Sequence, residues 1–453
     1  MSLSNETAYY VRPVNGSDAN DGQSFGSAWK TWRHAFNTLT EGAGVSANNA
    51  ILFMVNETGD AGYTGPYHGP TGADTTIQYG FQDGTYNRFQ ICGLSADGNY
   101  YQDVNFIFDL SGFTYSNWIY SFSSNTSSYG IMWRNITWRN ATTSIGRILY
   151  SSYDDDGAYS DFWNCIWEDN EVTNGLVGYG NYSGSQYYYN CIVRRNNSYD
   201  SNRSLFSASN YGVGSRRNPG ANFYRCIFHD NQTDPSASPY INNANSRGGI
   251  GVRHHDCLFY NNGYDTNSVC LKQQAEIESN NHRVENCVFF NNAGTAVLLE
   301  DTYATDASYV NSVYGQKIFN NVFAYNNKGL DIEAEPGVRD SMFVANVFWN
   351  NTVEDIPSIL DGVPGTTGAN YVFDPEFTNG YSGDFSVSSD SDLYTYSMTP
   401  GTPIGGSFVR KRPFTTSDEG SLSLGTGGVG DTVTVSGRSF QKVDDDPIVW
   451  RRV

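Results

Sequence analysis

What the sequence lacks sets the first limits on it. It has no run approaching the roughly 18–20 consecutive apolar residues that a membrane span needs, so insertion into a bilayer is not expected. Nothing at the start reads as a secretory signal: MSLSNETAYYVRP has no basic opening, no apolar stretch and no small-residue cleavage site. Sec-type export is therefore not expected from this chain itself. Charge is sparse, at 16% of residues, and lopsided, with 27 Lys and Arg against 47 Asp and Glu and a formal net charge of −20. Such a field repels phosphate backbones and anionic lipid alike, which argues against a nucleic-acid partner. Proline is scarce, at 14 residues, whereas aromatic residues reach 15%, so the composition of a disordered chain is missing as well.

What is present is a repeat. One short pattern returns eight times, as MWRNITWRN, FWNCIWEDN, YYNCIVRRN, FYRCIFHDN, HHDCLFYNN, VENCVFFNN, IFNNVFAYN and FVANVFWNN. Its fourth residue gives a set of anchors, Asn135, Cys165, Cys191, Cys226, Cys257, Cys287, Asn321 and Asn346, with an aliphatic residue after each. Five places after each anchor stands Asn: Asn140, Asn170, Asn196, Asn231, Asn262, Asn292, Asn326 and Asn351. A period near 30 with a short aromatic and β-branched core and loops of variable length fits one coil of a parallel β-helix. Equal positions of successive coils then stack about 4.8 Å apart. Asn tolerates left-handed backbone angles and bonds its own backbone, so the second set predicts an Asn ladder at a tight turn.

These coils resemble those of the pectin-lyase-like superfamily, whose repeats commonly read like the NCVFFNN at residues 286–292. The resemblance implies an all-β, single-stranded right-handed parallel β-helix. It extends to the opening YYVRPVNGSDANDGQSFGSAWKTWRHAF, which looks like the family's first strand, turn and capping helix, with Trp29, Trp32, Phe36 and Leu39 on one apolar stripe. DPEFTNGYSGDFSV and the later PGTPIGG look like its terminal coil. The chain divides accordingly into residues 1–48, a β-helix over 49–408, and a Gly- and Ser-rich segment, 409–453, with a short alternating strand and an aromatic, basic end. Because the coil pattern starts so near Met1, attachment to a partner is expected to use this last segment or the flank of the rod.

Five of the seven cysteines occupy one register in consecutive coils, which suits neither tetrahedral zinc nor an irregular disulfide framework. Small buried thiols filling one ladder are expected. For catalysis, aligning the second strands VCLKQQAE, AVLLEDTY and LDIEAEPG puts Lys272, Glu300 and Glu333 in one ladder. Two glutamates on adjacent coils would stand near the ~5 Å at which retaining glycosidases keep acid and nucleophile, and a solvated polar ladder is the alternative. Of the segments that polygalacturonase-type members of the superfamily use, only an Asp-Asp pair occurs, in the run Asp154, Asp155 and Asp156, and no calcium-type acidic cluster accompanies the arginines of the middle coils. Asp18, Asn20 and Asp21 could hold calcium or bond locally within their turn; no other cofactor is indicated. Loops rich in Tyr, Asn, Gly and Ser have the composition of adaptable recognition surfaces, which makes Tyr101, Tyr179, Tyr182, Tyr187, Tyr188 and Tyr211 candidates for contact with a glycan.

Two functions follow as expectations. The first is a virion or extracellular surface protein, resembling phage tailspike and head-decoration β-helices, that contacts cell-surface or extracellular glycan and forms a homotrimer or joins other virion proteins through 409–453. The second is a polysaccharide hydrolase or lyase on the same scaffold.

Overall fold

The computed structural model describes residues 7–40, 50–65, 77–79, 89–101, 104–113, 117–122, 129–143, 147–152, 159–173, 175–179, 186–199, 205–209, 221–233, 240–246, 253–275, 282–300, 312–314, 316–333, 337–339, 341–355, 370–388, 391–398, 402–409, 432–435, 438–445 and 448–452. Three long parallel sheets of 11, 10 and 9 strands run its length. A middle coil contributes one strand to each sheet, as Gln186–Tyr189, Ile192–Arg194 and Phe206–Ser209 do. The fold is thus a parallel β-helix, and the chirality of parallel strand crossovers gives it a right hand.

The sequence repeat makes two corners that hold a three-residue strand between them. Each corner is a left-handed residue, Asn190 and Arg195 in one coil, Asp256 and Asn261 two coils on, with φ between 52° and 54°. The expectation that the ladder asparagines are themselves left-handed is corrected here: the left-handed residue is the one before. The register of the first coil also shifts by one. Thr137 pairs with Ile166 and Trp138 with Trp167, so Ile136 stands opposite Cys165, and Ala141, not Asn140, occupies the ladder position. Asn140 is left-handed, with φ 57°, and donates to Asp109 Oδ2 at 2.7 Å.

From Asn170 to Asn351 the ladder is continuous and buried. Asn231 shows the unit: its Nδ2 donates to Val193 O at 2.8 Å and to Asn262 Oδ1 at 3.0 Å, while that same Oδ1 accepts Asn231 N at 3.2 Å. Every polar atom of the amide has a partner, which is the condition for burying it. At the anchor corner the stacked cysteines behave in the same way. All seven cysteines are free and buried, and Cys226 Sγ lies 3.4 Å from Tyr188 O in the preceding coil. Two coils beyond Cys257 the position becomes Asn321, Asn346 and Asn370, again linked amide to amide at 2.9 Å.

Inside the rod, equal positions stack as rings. Phe228, Phe259, Phe289, Phe323 and Phe348 form one column with centroids 4.5–5.1 Å apart. Phe162, Tyr188, Phe223 and His254 form a second. The N-terminal helix spans Trp32–Thr40 and buries Trp32, Phe36 and Leu39, with Trp32 against Phe108 and Trp133 and Phe36 against Phe89. Trp29 lies before the helix, bridged to Val11 and stacked on Tyr9.

The terminal segment departs from expectation. After one last strand, Tyr371–Val372, the chain turns back along the outside of the 10-stranded sheet rather than completing a coil. Phe385, Val387, Leu393, Ile404, Phe408 and Val409 bury against Ile227, Leu258, Val288, Val322 and Val347, a second core outside the lumen. A backbone bond from Gly405 N to Asn320 O at 2.8 Å and one from Ser407 N to the side-chain Oδ1 of Asp256 at 3.2 Å fasten this strap. Val409 is fully buried in it and therefore packs with the rod. Beyond it, Thr432–Val435, Arg438–Asp445 and Ile448–Arg452 pair with one another as an antiparallel sheet.

Candidate functional site

The sequence-predicted residues divide sharply. Glu300 and Glu333 are Cα partners on adjacent strands, but Gln274 is the partner of Glu300 on the other side. Lys272 pairs with Leu298, two residues out of that row. The alignment of Lys272 with the two glutamates is therefore corrected; it failed because Leu271, not Val269, pairs with Val297 and so stands in the row of Leu330. The side chains of Glu300 and Glu333 lie outside the described residues.

Among the tyrosines, Tyr188 is 0% exposed, sandwiched between Phe162 and Phe223 at 4.7 and 4.4 Å, and is a core residue, not a glycan contact. Strand alternation explains this, because Gln186 and Tyr188 point inward and Tyr187 and Tyr189 outward. Tyr101 is exposed and its hydroxyl lies 3.3 Å from Asp97 Oδ2. Tyr179 sits in the strand Val177–Tyr179, its side chain outside the described residues, as are Tyr182 and Tyr211 altogether. In the Asp18 turn, Asp18 accepts from Lys30 N, Thr31 N and Thr31 Oγ1 at 2.8–2.9 Å, and Asp21 accepts from Gln23 N and Ser27 Oγ. Both carboxylates are engaged in fixing the turn and the start of the helix. No group of three His, Cys, Asp or Glu among the described residues is arranged to hold a metal.

The feature that does gather chemistry is the outer face of the 11-stranded sheet. Its inward positions, Phe162, Tyr188, Phe223, His254, Val284, Ile318 and Phe343, are all buried. The residues on either side of them therefore form two outward columns. In the first, Trp163, Tyr189, Tyr224, His255, Glu285 and Phe319 follow one another coil by coil. Trp163 and Tyr189 stack at 4.0 Å and Tyr189 and Tyr224 at 5.1 Å, with the Arg134 guanidinium 5.8 Å from the Trp163 ring at the other end. The stacked faces cover one another, so what these half-buried rings leave exposed is at their edges. Tyr187, parallel to Tyr189 at 6.2 Å, widens it.

Past Tyr224 the column becomes ionic. His255 Nδ1 lies 3.0 Å from Glu285 Oε1, and His255 Nε2 lies 3.6 Å from Asp256 Oδ2. Burial opposes charge on this imidazole, but the Glu285 hydrogen bond and the charges of Asp256 and Glu285 outweigh it and raise the pKa of His255. Burial likewise opposes charge on Glu285, and His255, Arg283 and Arg253 reverse it and lower that carboxyl. The second column reads Asp161, Tyr187, Asn222, Arg253, Arg283, Lys317 and Met342. Arg253, Arg283, Lys317, His255 and Glu285 are all half-buried. A proton donor or acceptor pair thus stands beside a line of cations. Reading the sequence two and four places before each anchor finds both columns without a structure.

No protein-family model matches the sequence, and no curated protein matches it. Among solved structures the chain is similar to a rhamnogalacturonan lyase, at 14% identity and TM-score 0.43 over 91% of this chain and 97% of that one, and to the GH136 lacto-N-biosidase from Eubacterium ramulus, at 12% identity and TM-score 0.29 over 81% and 68%.

Proposed function

We propose that the protein is a surface rod, carried on a virion or outside a cell, that contacts glycan along the outer face of its 11-stranded sheet. The observation that supports this is the half-exposed ladder Trp163, Tyr189 and Tyr224 with Tyr187 beside it. Sugars are amphipathic, and half-exposed tyrosine and tryptophan rings, each apolar with one polar group, suit both their C–H and their O–H groups. A linear polymer lying along the rod would meet equivalent positions once per coil. In this reading residues 410–453 supply self-association, as a homotrimer, or attachment to other virion proteins.

A second reading, a polysaccharide hydrolase or lyase on the same face, is favoured by the His255–Glu285 pair among Arg253 and Arg283. The two part on one experiment. Incubation with capsular and plant polysaccharides should give binding without new reducing ends or unsaturated uronates; turnover that disappears in Glu285→Gln would replace the first reading by the second.

A further inference from the structure

Four asparagines of this chain are followed directly by glycine: Asn15, Asn174, Asn262 and Asn379. At such a step the side-chain amide is open to attack by the next backbone nitrogen, because glycine puts no Cβ in the way. Reaction then depends on what holds the two groups. At Asn15 the side-chain Nδ2 donates to Glu57 Oε1 at 2.8 Å, and Gly16 N donates to Arg12 O at 2.8 Å. At Asn262 both polar side-chain atoms belong to the ladder, and Gly263 N donates to Asn231 O at 2.8 Å. Asn174 lies outside the described residues. Asn379 differs from Asn15 and Asn262 in both respects. It is exposed in a hairpin of the strap, its side chain makes no capping bond, and Gly380 opens the short helix Gly380–Ser382, whose first N–H has no partner within it. Among the described residues neither the Asn379 carboxamide nor the Gly380 N–H is hydrogen-bonded.

We propose that Asn379 is a modification site of this chain: its side chain deamidates through attack by Gly380 N, and the product loosens the strap. Gly380 N loses its proton to solvent base and bonds to Asn379 Cγ, the Cγ–Nδ2 bond breaks, and ammonia leaves, closing a succinimide ring. Water then adds to either ring carbonyl and opens the ring, to aspartate or, with the main chain rerouted through the former side chain, to isoaspartate. Water is consumed, ammonia is released, and no oxidant or reductant takes part. Ring closure requires rotation about ψ of Asn379, 71° in the hairpin, and so disturbs the bonds from Asp384 N and Ser382 N to Asn379 O, at 3.0 and 3.1 Å. These belong to a hairpin tip open to water, whereas the same rotation at Asn262 would open the rod. Isoaspartate lengthens the main chain between Asn379 and Asp384, whose backbone groups pair in both directions at 3.0 Å. It does so beside Gly380, which rests on the Phe290 ring so closely that a Cβ there would stand 2.7 Å from Phe290 Cζ. Phe377 and Phe385, at the two feet of the hairpin, pack on the same ring at 5.8 and 5.4 Å. A longer tip therefore disturbs the fit of the strap on the 10-stranded sheet.

The test is ageing of the full chain in mildly alkaline buffer, followed by peptide mapping with mass spectrometry and by labelling with an isoaspartyl methyltransferase. Asn379 should convert at least about tenfold faster than Asn15 and Asn262, at each of which two or more hydrogen bonds must open first. Asn379→Gln, whose longer side chain closes a ring far more slowly, should not convert at this position. Hydrogen exchange reads the consequence: it should quicken at the amides of Thr378, Asn379 and Asp384 in aged wild-type protein and not in aged Asn379→Gln, while the ladder amides of Asn231 and Asn262 stay protected in both. Conversion of Asn15 or Asn262 as fast as that of Asn379, or none at Asn379, would overturn the site. Conversion at Asn379 without quicker exchange in the strap, or equal quickening in aged Asn379→Gln, would overturn its effect on the strap.

Discussion

Removing one rung of the asparagine ladder should destabilise the rod by more than a buried side chain of that size would suggest. Asn262 lies mid-ladder and is 1% exposed. Its Oδ1 accepts Asn231 N and Asn231 Nδ2 at 3.2 and 3.0 Å, and its Nδ2 donates to Phe228 O at 2.8 Å and Asn292 Oδ1 at 3.0 Å. In Asn262→Ala, Asn231 N, one hydrogen of Asn231 Nδ2 and Phe228 O lose these partners in a dry interior. At about 1–3 kcal/mol for each buried group left unsatisfied, and allowing for partial relaxation, the loss should be about 3–5 kcal/mol. Asn291→Ala makes the comparison. That residue lies in the next coil, is partly exposed and left-handed at φ 52°, and donates one half-exposed bond to Asn261 Oδ1 at 2.8 Å, so its cost is the ~1–2 kcal/mol of a left-handed L-residue with at most about 1 kcal/mol for that bond. Urea unfolding measures both. Because a solenoid's stability is close to a sum over neighbouring repeats, hydrogen exchange should quicken at the amides of the flanking coils and not at the strand Met342–Val344. Equal losses in the two variants, or a loss below about 1 kcal/mol in Asn262→Ala, would refute the account of the ladder as a chain of obligatory bonds.

Three further outcomes follow from the same geometry. Burial holds the His254 imidazole down at about 3, with His282 adding to it, and burial holds His282 at about 4. Both folded values lie below the unfolded one, so stability is fully present above pH ~6.5 and falls with pH below it, by up to about 1.4 kcal/mol per pH unit for each histidine; His254→Phe, whose ring fits the stack on Phe223, should reduce that slope when unfolding midpoints are compared at pH 7 and pH 5. Burial raises the thiols of Cys191, Cys226, Cys257 and Cys287 well above the ordinary range, so a thiol reagent should leave native protein unlabelled and react with all seven cysteines in denaturant; fast labelling of native protein would contradict the packed ladder. Truncation after Val409 should leave the coils folded by circular dichroism and abolish self-association or attachment, whereas truncation after Asn370, which removes Phe385, Leu393 and Phe408, should expose the apolar outer column of the 10-stranded sheet and cause aggregation.

The coils were legible in the sequence because a stacked rod forces equal positions into one environment. The Asn and Cys columns each satisfy a bond that only a small polar or polarisable group can make at that corner, so they repeat almost without exception. The first coil misled by one residue, since Asn135 and Asn140 are left-handed corner residues that look like ladder members. Only the pairing of Trp138 with Trp167 fixes the register. The strap was not legible: its aromatic and aliphatic residues serve a lumen or an outer face equally well, and nothing local says which. Lys272 was misplaced for a related reason, because the strand Val269–Ala275 offers Val269 and Leu271, two residues apart, as alternative partners for Val297.

The outward columns present the opposite case, being readable and yet easily passed over. Inward columns are constrained by packing, so every coil repeats them and the eye follows them. Outward columns are free to vary, and their residues look unremarkable within any single coil: Arg253 beside His255, or Arg283 beside Glu285, is an ordinary surface pair. Meaning appears only down the column, where neighbours some 30 residues apart in sequence stand one strand spacing apart. Down the flank of the 10-stranded sheet that comparison yields alternating charges and then the aliphatic bed of the strap, both explained by the rod's own stability. On the 11-stranded sheet it yields three stacked rings turned outward, Trp163, Tyr189 and Tyr224, where exposed ring edges gain less from burial than the same rings turned inward. Those outward rings are the stretch of the two columns that packing within the rod explains least, and the proposed glycan contact rests on them.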